Sequence, residues 1–241
     1  MQRVLLGMLT PSSNTVLEPV TSEILRDIPN ASAHFGRFAV TRIALSQGAL
    51  SQFSTPEVIK AAELLAHARC QVIGWSGTSS SWLGFDSDER LCQSIHSTTG
   101  AKACTSVLAI NEILKKTSAQ RIALVSPYLD DVQEAIVRNY RAAGFNLVSE
   151  RHLGLEDNYS FSEVTSEQLI QMSRDVASAK PDAILIMCTN LFGAPLVPVL
   201  EAELGIPVYD SVSAVVWKAL CLAGVDTRSI LSWGRLFKEL S

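Results

Sequence analysis

The sequence lacks the motifs of several common classes of protein. Its five cysteines and four histidines contain no C-x-x-C, H-x-H or H-E-x-x-H spacing, which argues against a disulfide framework and against a metal site. Neither G-x-x-x-x-G-K nor G-x-G-x-x-G follows an apolar run, so no phosphate-binding loop is indicated. The net charge is −4 and no five like charges occur in a row, which argues against nucleic acid as a partner.

Long apolar runs are also missing. The longest one near the amino end, Val4–Leu9, is followed at once by a polar segment that begins near Pro11, and it is too short for a signal peptide or a membrane span. With 241 residues, 47% of them apolar and 18% charged, the chain has the composition of a soluble protein that buries its own core. We therefore expect a cytoplasmic protein with no membrane partner.

Short apolar runs rich in β-branched residues alternate with longer amphipathic stretches, which predicts an α/β fold with mostly parallel sheets. The predicted strands are Val4–Leu9, Ala33–Val40, Val72–Trp75, Ala103–Thr105, Ile122–Val125, Asn146–Ser149, Ala183–Met187 and Val208–Tyr209. The predicted helices are Pro56–Arg69, Glu112–Lys116, Val132–Ala143, Ser166–Ser178, Pro195–Leu204 and Val212–Leu222.

Weak internal repeats divide the chain into two halves. Segments 2–6, 70–78 and 100–107 resemble segments 120–124, 181–189 and 205–212, in the same order. We predict two pseudo-symmetric α/β lobes, each with a sheet flanked by helices. The first comprises residues 1–110 and is completed by a C-terminal helix at 212–241, and the second comprises residues 111–211.

Polar segments follow the repeated strands, and in open parallel sheets ligands bind beyond the carboxyl ends of the strands. Segments 11–14, 77–80, 126–128 and 188–190 supply hydroxyls, amides and backbone N–H groups, a chemistry suited to a carboxylate. We expect these segments to face one cleft. Their candidate carboxylate-binding residues are Pro11, Ser12, Asn14, Gly77, Thr78, Ser79 and Thr189.

Each candidate also has a purely structural interpretation. Gly77, Thr78 and Ser79 form either a nest of donors for a carboxylate or a polar turn that caps a helix. Cys188, at the end of a strand that enters the cleft, is either a nucleophile or acid/base, or a small buried apolar residue. Its place opposite Gly77 in the internal repeat favours the functional role.

Tyr128 and three polar residues complete the candidates. Tyr128 directly follows a strand, so its phenol either donates a hydrogen bond into the cleft or packs at the edge of a lobe. Arg42, Asn14 and Asn158 either bind a second anionic group or cap and bridge loops.

Segments 11–15, 77–79, 128–132, 188–190 and 234–237 together resemble the aspartate/glutamate racemase superfamily, and most closely the arylmalonate decarboxylases and maleate cis-trans isomerases. The likeness extends nearly end to end and includes the internal duplication. It implies two Rossmann-like lobes, an active site in the cleft between them, and no metal or organic cofactor. In the racemases and isomerases of this group two cysteines face each other, one from each lobe. Here the first position is Gly77 and only Cys188 remains.

A single cysteine is also the arrangement of the arylmalonate decarboxylases, so the resemblance implies a cofactor-independent decarboxylase of a small malonate-type acid. Gly77, Thr78, Ser79 and Tyr128 would hold the enediolate left after carbon dioxide departs, and the neutral thiol of Cys188 would protonate it.

Two alternatives stay open. Arg42, Asn14 and Asn158 favour a maleate-type isomerase or an Asp/Glu-type racemase of a small dicarboxylate that uses Cys188 as nucleophile or base. The second alternative is a protein that binds a small acid and lost catalysis together with its first cysteine. Replacing Gly77 by cysteine is expected to restore a second base. The sequence leaves the oligomeric state open, a homo-oligomer included.

Overall fold

Two four-stranded sheets form the framework of the protein, and a computed structural model describes residues 3–53 and 55–240. Within these residues the strands are β1 (Val4–Pro11), β2 (Ala31–Phe38), β3 (Val72–Trp75), β4 (Lys102–Thr105), β5 (Arg121–Ser126), β6 (Asn146–His152), β7 (Ala183–Ile186) and β8 (Val208–Asp210). The α-helices are α1 (Leu17–Ile24), α2 (Gln47–Leu50), α3 (Thr55–His67), α4 (Ser80–Leu83), α5 (Asp86–Thr99), α6 (Ser106–Lys116), α7 (Asp130–Ala142), α8 (Ser166–Ala177), α9 (Val197–Leu204), α10 (Ser211–Leu222) and α11 (Leu236–Glu239). Gln2, where the first internal repeat begins, lies outside the described residues.

The two sheets have the same topology. Their strand orders are β2-β1-β3-β4 and β6-β5-β7-β8, and every neighbouring pair is parallel. The repeated segments 70–78 and 181–189 contain β3 and β7, which occupy equivalent positions in the two sheets. The predicted α/β fold with two related parallel sheets is therefore confirmed.

Strands β3 and β7 are apolar throughout, as expected for parallel strands that are buried on both faces. All four residues of β3 are buried, as are all four of β7. A continuous run of apolar residues is what such a strand requires, and the predicted strand Val72–Trp75 has the bounds of β3. The carboxyl ends of β1, β3, β5 and β7 lead into the polar segments identified in the sequence.

Helix α10 belongs to the packing of the first sheet although it comes late in the chain. It packs against β3, β4, α1 and α6, and its buried residues lie all round its axis. In place of one helix over 212–241, the structure has α10 and α11 separated by an irregular segment. Gly224, with a φ of 75°, follows the C-cap residue Ala223 of α10 and adopts the left-handed conformation that ends many helices. No helix in the described part of the chain has both the length and the apolar character needed to cross a bilayer.

Candidate active site

A small cavity lies where the polar segments after β1, β3, β5 and β7 meet. Its volume is about 20 Å³, roughly the space of one water molecule. The predicted site residues that line it are Pro11, Gly77, Thr78, Ser79, Tyr128, Asn158, Cys188 and Thr189. The structure thus brings these eight together at one point, with contributions from the carboxyl ends of both sheets.

Tyr128 and Thr78 join the two lobes across the cavity. The Tyr128 hydroxyl and Thr78 Oγ1 are 2.6 Å apart and share a hydrogen bond. The Tyr128 ring packs edge-on against Trp82, with ring centroids 5.1 Å apart, and against Phe161 at 5.7 Å. Burial raises the pKa of Tyr128 well above its usual value, and the neighbouring Cys188 adds to the shift. The phenol therefore stays protonated and offers an O–H to the cavity.

Cys188 presents a buried, neutral thiol to the cavity. The residue is 3% exposed, and the backbone N–H of Asn190 donates to its Sγ at 3.4 Å. Burial raises the pKa of Cys188 to about 12, although the hydrogen bonds from Asn190 and Tyr128 act in the opposite direction. A thiol that stays protonated is suited to donate a proton, whereas a nucleophile would need the thiolate.

Asn14 links the start of α1 to Thr189 in the cavity wall through side-chain hydrogen bonds. Its Oδ1 accepts hydrogen bonds from the N–H groups of Val16 and Leu17, at 3.0 and 2.9 Å, at the start of α1. Its Nδ2 donates to Thr189 Oγ1 at 3.2 Å, and the Thr189 hydroxyl donates to the carbonyl of Ser76 at 3.1 Å. The side chain of Asn14 is thus engaged in capping and bridging, and it does not line the cavity.

Asn190 lies in segment 188–190, which was expected to face the cleft, but it was not among the predicted site residues. Its Oδ1 accepts from the N–H of Thr15 at 3.0 Å, and its Nδ2 donates to the carbonyl of Asn158 at 2.5 Å. Asn158 in turn donates to Ser13 Oγ at 2.8 Å. The signal for Asn190 was present in the sequence, because an asparagine shortly after a strand also occurs at Asn14 in the first lobe.

Arg42 lies outside the cavity. Its Nη2 is 2.5 Å from Glu156 Oε1, and its side chain is 64% exposed. The backbone beside it is fixed by a hydrogen bond from the N–H of Ile43 to the carbonyl of Glu156, at 2.9 Å. The segment around Arg42 thus spans the two lobes with the guanidinium outside, as in the loop-bridging interpretation.

An apolar wall faces the polar residues of the cavity. It is formed by Val40, Ile43, Phe53, Trp75 and Trp82. Ser12 supports this wall without lining the cavity, because its Oγ accepts the N–H of Val40 at 3.1 Å. These apolar residues were not among the site residues predicted from the sequence, although Trp75 and Trp82 flank the polar residues 76–81. The described residues contain no group of three or more His, Cys, Asp or Glu side chains that could hold a metal ion.

Comparison with known proteins relates the chain to arylmalonate decarboxylases and maleate isomerases. The family model for arylmalonate decarboxylase matches residues 14–237. The chain is 26% identical to an arylmalonate decarboxylase of Bordetella bronchiseptica, over 97% of this chain and 96% of the relative. It is 28% identical to a maleate isomerase of Nocardia farcinica, over 89% of this chain and 88% of the relative.

A solved structure of the Nocardia farcinica maleate cis-trans isomerase, a mutant with a covalently bound succinylcysteine intermediate, superposes with a TM-score of 0.90. It is 25% identical and covers 99% of both chains. The relatives thus include enzymes named for two different reactions.

Proposed function

We propose that this chain, which belongs to the arylmalonate decarboxylase family, is a cofactor-independent decarboxylase of a small malonate-type acid. The observation that carries the proposal is that Cys188 is the one thiol among the described residues lining the cavity, while the other lobe contributes Gly77. A pair of thiols, one from each lobe, would suit a two-base racemase. One thiol suits a reaction in which a single proton is delivered to one face of a carbanion.

The reaction begins with loss of carbon dioxide. The bond from the α carbon to the departing carboxylate breaks, and its electron pair moves into the retained carboxylate to give an enediolate. In this proposal the hydroxyls of Thr78, Ser79 and Tyr128, which line the cavity, and the N–H groups of segment 77–79 hold that developing charge. Donors of this kind are worth two to three orders of magnitude in rate each.

Proton transfer completes the reaction. The S–H of Cys188 gives its proton to the α carbon, and water reprotonates the resulting thiolate. The raised pKa of Cys188 supports this role, because it keeps the thiol protonated at neutral pH. The apolar wall of Val40, Ile43 and Phe53 supports it as well, because no cation there would hold the carboxylate that has to leave.

The test uses a panel of substituted malonates in deuterated water. We expect carbon dioxide release and product that is monodeuterated on one face. Cys188→Ala should abolish the turnover, whereas Cys104→Ala, which alters a buried thiol that does not line the cavity, should preserve it. If no malonate releases carbon dioxide, the proposal is wrong.

Cis-trans isomerisation of a maleate-type dicarboxylate is the second candidate. The similarity to the Nocardia farcinica isomerase, with its covalently bound succinylcysteine, favours it. In this chemistry the Cys188 thiolate would add to the double bond, and rotation about the resulting single bond would precede its departure. The placement of Arg42 gives it less support, since that arginine pairs with Glu156 and does not line the cavity beside Cys188. Proton NMR of maleate distinguishes the two, because only an isomerase forms fumarate.

A further inference from the structure

Trp75 lies deep in the wall of the cavity. It is the last residue of β3 and is 2% exposed. Its ring centroid is 5.1 Å from that of Phe38, and its Nε1 donates to Ser79 Oγ at 3.4 Å. The indole is therefore fixed by a neighbouring ring on one side and by a predicted carboxylate-binding residue on the other.

The indole also occupies the space in front of Gly77. A Cβ built on Gly77 would be 2.6 Å from Cη2 of Trp75 and closer still to Cζ2 and Cε2. Real Cβ atoms do not approach ring atoms so closely, so any side chain at residue 77 requires the indole to move. Restoring a second thiol by Gly77→Cys alone, as the sequence suggested, therefore meets a steric obstacle that only the structure reveals.

A second cavity lies on the other side of Trp75. Its volume is about 270 Å³, against about 20 Å³ for the cavity beside Cys188. Trp75, Ser79 and Phe53 line both. The indole is thus part of the partition between the small cavity beside Cys188 and a neighbouring space more than ten times its volume.

We propose that Trp75 is the specificity-determining residue of this site. Its indole limits the size of the acid that reaches Cys188 and keeps residue 77 a glycine, and truncating it opens the site toward the larger cavity. The inference rests on the proposed function for the identity of the acid. The geometric part, that Trp75 controls access to Cys188, stands on the two cavities and is tested separately.

Access is measured by alkylation of Cys188 in the intact protein, with peptide mapping by mass spectrometry. The readout is the rate with N-phenylmaleimide divided by the rate with iodoacetamide, because a ratio cancels changes in the reactivity of the thiol. We expect Trp75→Leu to raise this ratio about tenfold or more, and Trp75→Phe, which retains a ring, to raise it less. Trp75→Phe also keeps the test decisive if the leucine variant fails to fold.

Trp217→Leu is the matched control. Trp217 is a buried tryptophan of α10, 1% exposed, that lines neither cavity. Loss of its indole should loosen the first lobe without changing the ratio at Cys188. An equal ratio in the Trp75 variants and this control would overturn the proposal.

Substrate range is the second measurement. We expect Trp75→Leu to shift kcat/KM toward phenyl- and naphthylmalonate relative to methylmalonate by about tenfold or more. If malonates are decarboxylated without that shift, the inference fails while the proposed function stands. If no variant decarboxylates any malonate but the alkylation ratio rises, the proposed function fails and the control of access by Trp75 stands.

The glycine supplies the third measurement. Gly77→Cys alone should lower the thermal midpoint clearly, and adding Trp75→Leu should recover part of that loss, because the ring atoms that collide with the new Cβ are gone. Strictly additive shifts would show that the indole is not what confines residue 77.

Discussion

Asp210 is expected to make the protein less stable as the pH rises toward neutrality. It ends β8 and is fully buried. Its Oδ1 caps α10 by accepting the N–H groups of Val212 and Ser213, at 2.8 and 3.1 Å, and its Oδ2 has no hydrogen-bond partner among the described residues. Burial raises the pKa of Asp210 to about 7 from its ordinary 3.8, although the three backbone N–H groups at the start of α10 oppose the shift.

The sign and size of the effect follow from these two values. Between about pH 4 and pH 7 the folded chain holds a proton on Asp210 that the unfolded chain has lost, so the free energy of unfolding falls as the pH rises. The full difference is about 4 kcal/mol at 1.36 kcal/mol per pKa unit, and the part lost between about pH 5 and pH 8 is about 2–3 kcal/mol.

Asp210→Asn isolates this contribution. Asparagine is an equally good cap and does not titrate, so the variant should gain about 2–3 kcal/mol on the wild type between about pH 5 and pH 8. The assay is urea unfolding of both proteins across this range. Asp88, whose pKa burial raises to about 6, acts in the same direction but is present in both proteins and cancels.

Asp182→Asn is the control for this experiment. Asp182 also holds two backbone N–H groups, those of Gln120 and Arg121, but it is exposed and those bonds lower its pKa. Its effect should therefore be constant above about pH 5. A stability difference between Asp210→Asn and wild type that does not grow with pH would refute the reasoning.

Three further predictions concern the cavity. Tyr128→Phe should lower kcat for carbon dioxide release about 10²- to 10³-fold, because it removes the hydroxyl that shares a hydrogen bond with Thr78. A decrease of kcat below threefold would exclude Tyr128 from charge stabilisation. Arg42→Ala should change kcat/KM less than about twofold and the free energy of unfolding by less than about 1 kcal/mol, because its exposed ion pair with Glu156 lies outside the cavity. A tenfold loss of kcat/KM would mean that the guanidinium reaches the substrate. Since burial raises the pKa of Cys188 to about 12, activity should persist above pH 9, and an alkaline limit near the ordinary thiol pKa of about 8.5 would contradict a buried neutral acid.

The strands were predictable because a strand that is buried on both faces requires a continuous run of apolar residues. Val72–Trp75 was predicted with the bounds of β3, and the run Ala183–Met187 extends one residue beyond β7. Helix α5 (Asp86–Thr99) was missed because Asp88 and Ile95 are its only buried residues, which leaves almost no apolar periodicity. Helix α6 was predicted to begin at Glu112, but it begins at Ser106, where the Thr105 hydroxyl accepts the N–H of Leu108 as a cap.

The polar half of the site was predictable for a different reason. Parallel strands end at one edge of a sheet, so the segments after β1 and β3 had to lie close together in the first lobe, and those after β5 and β7 in the second. The direction of Arg42 was not predictable, because it depends on a loop pairing with Glu156, more than a hundred positions along the chain. The apolar wall was hidden for the same reason, since Val40, Ile43 and Phe53 approach the cavity only through that tertiary arrangement.

Gly77 is interpreted differently once the structure is known. In the sequence it marks an absent thiol, whereas in the structure it marks an absent side chain, because even a Cβ would collide with Trp75. The glycine and the tryptophan are therefore two halves of one steric arrangement. A chemistry that needs a thiol in each lobe requires both residues to differ, and a chemistry that needs only Cys188 is compatible with both as they stand. The contact between residue 77 and the indole thus supports the proposed one-face protonation independently of the pKa of the thiol.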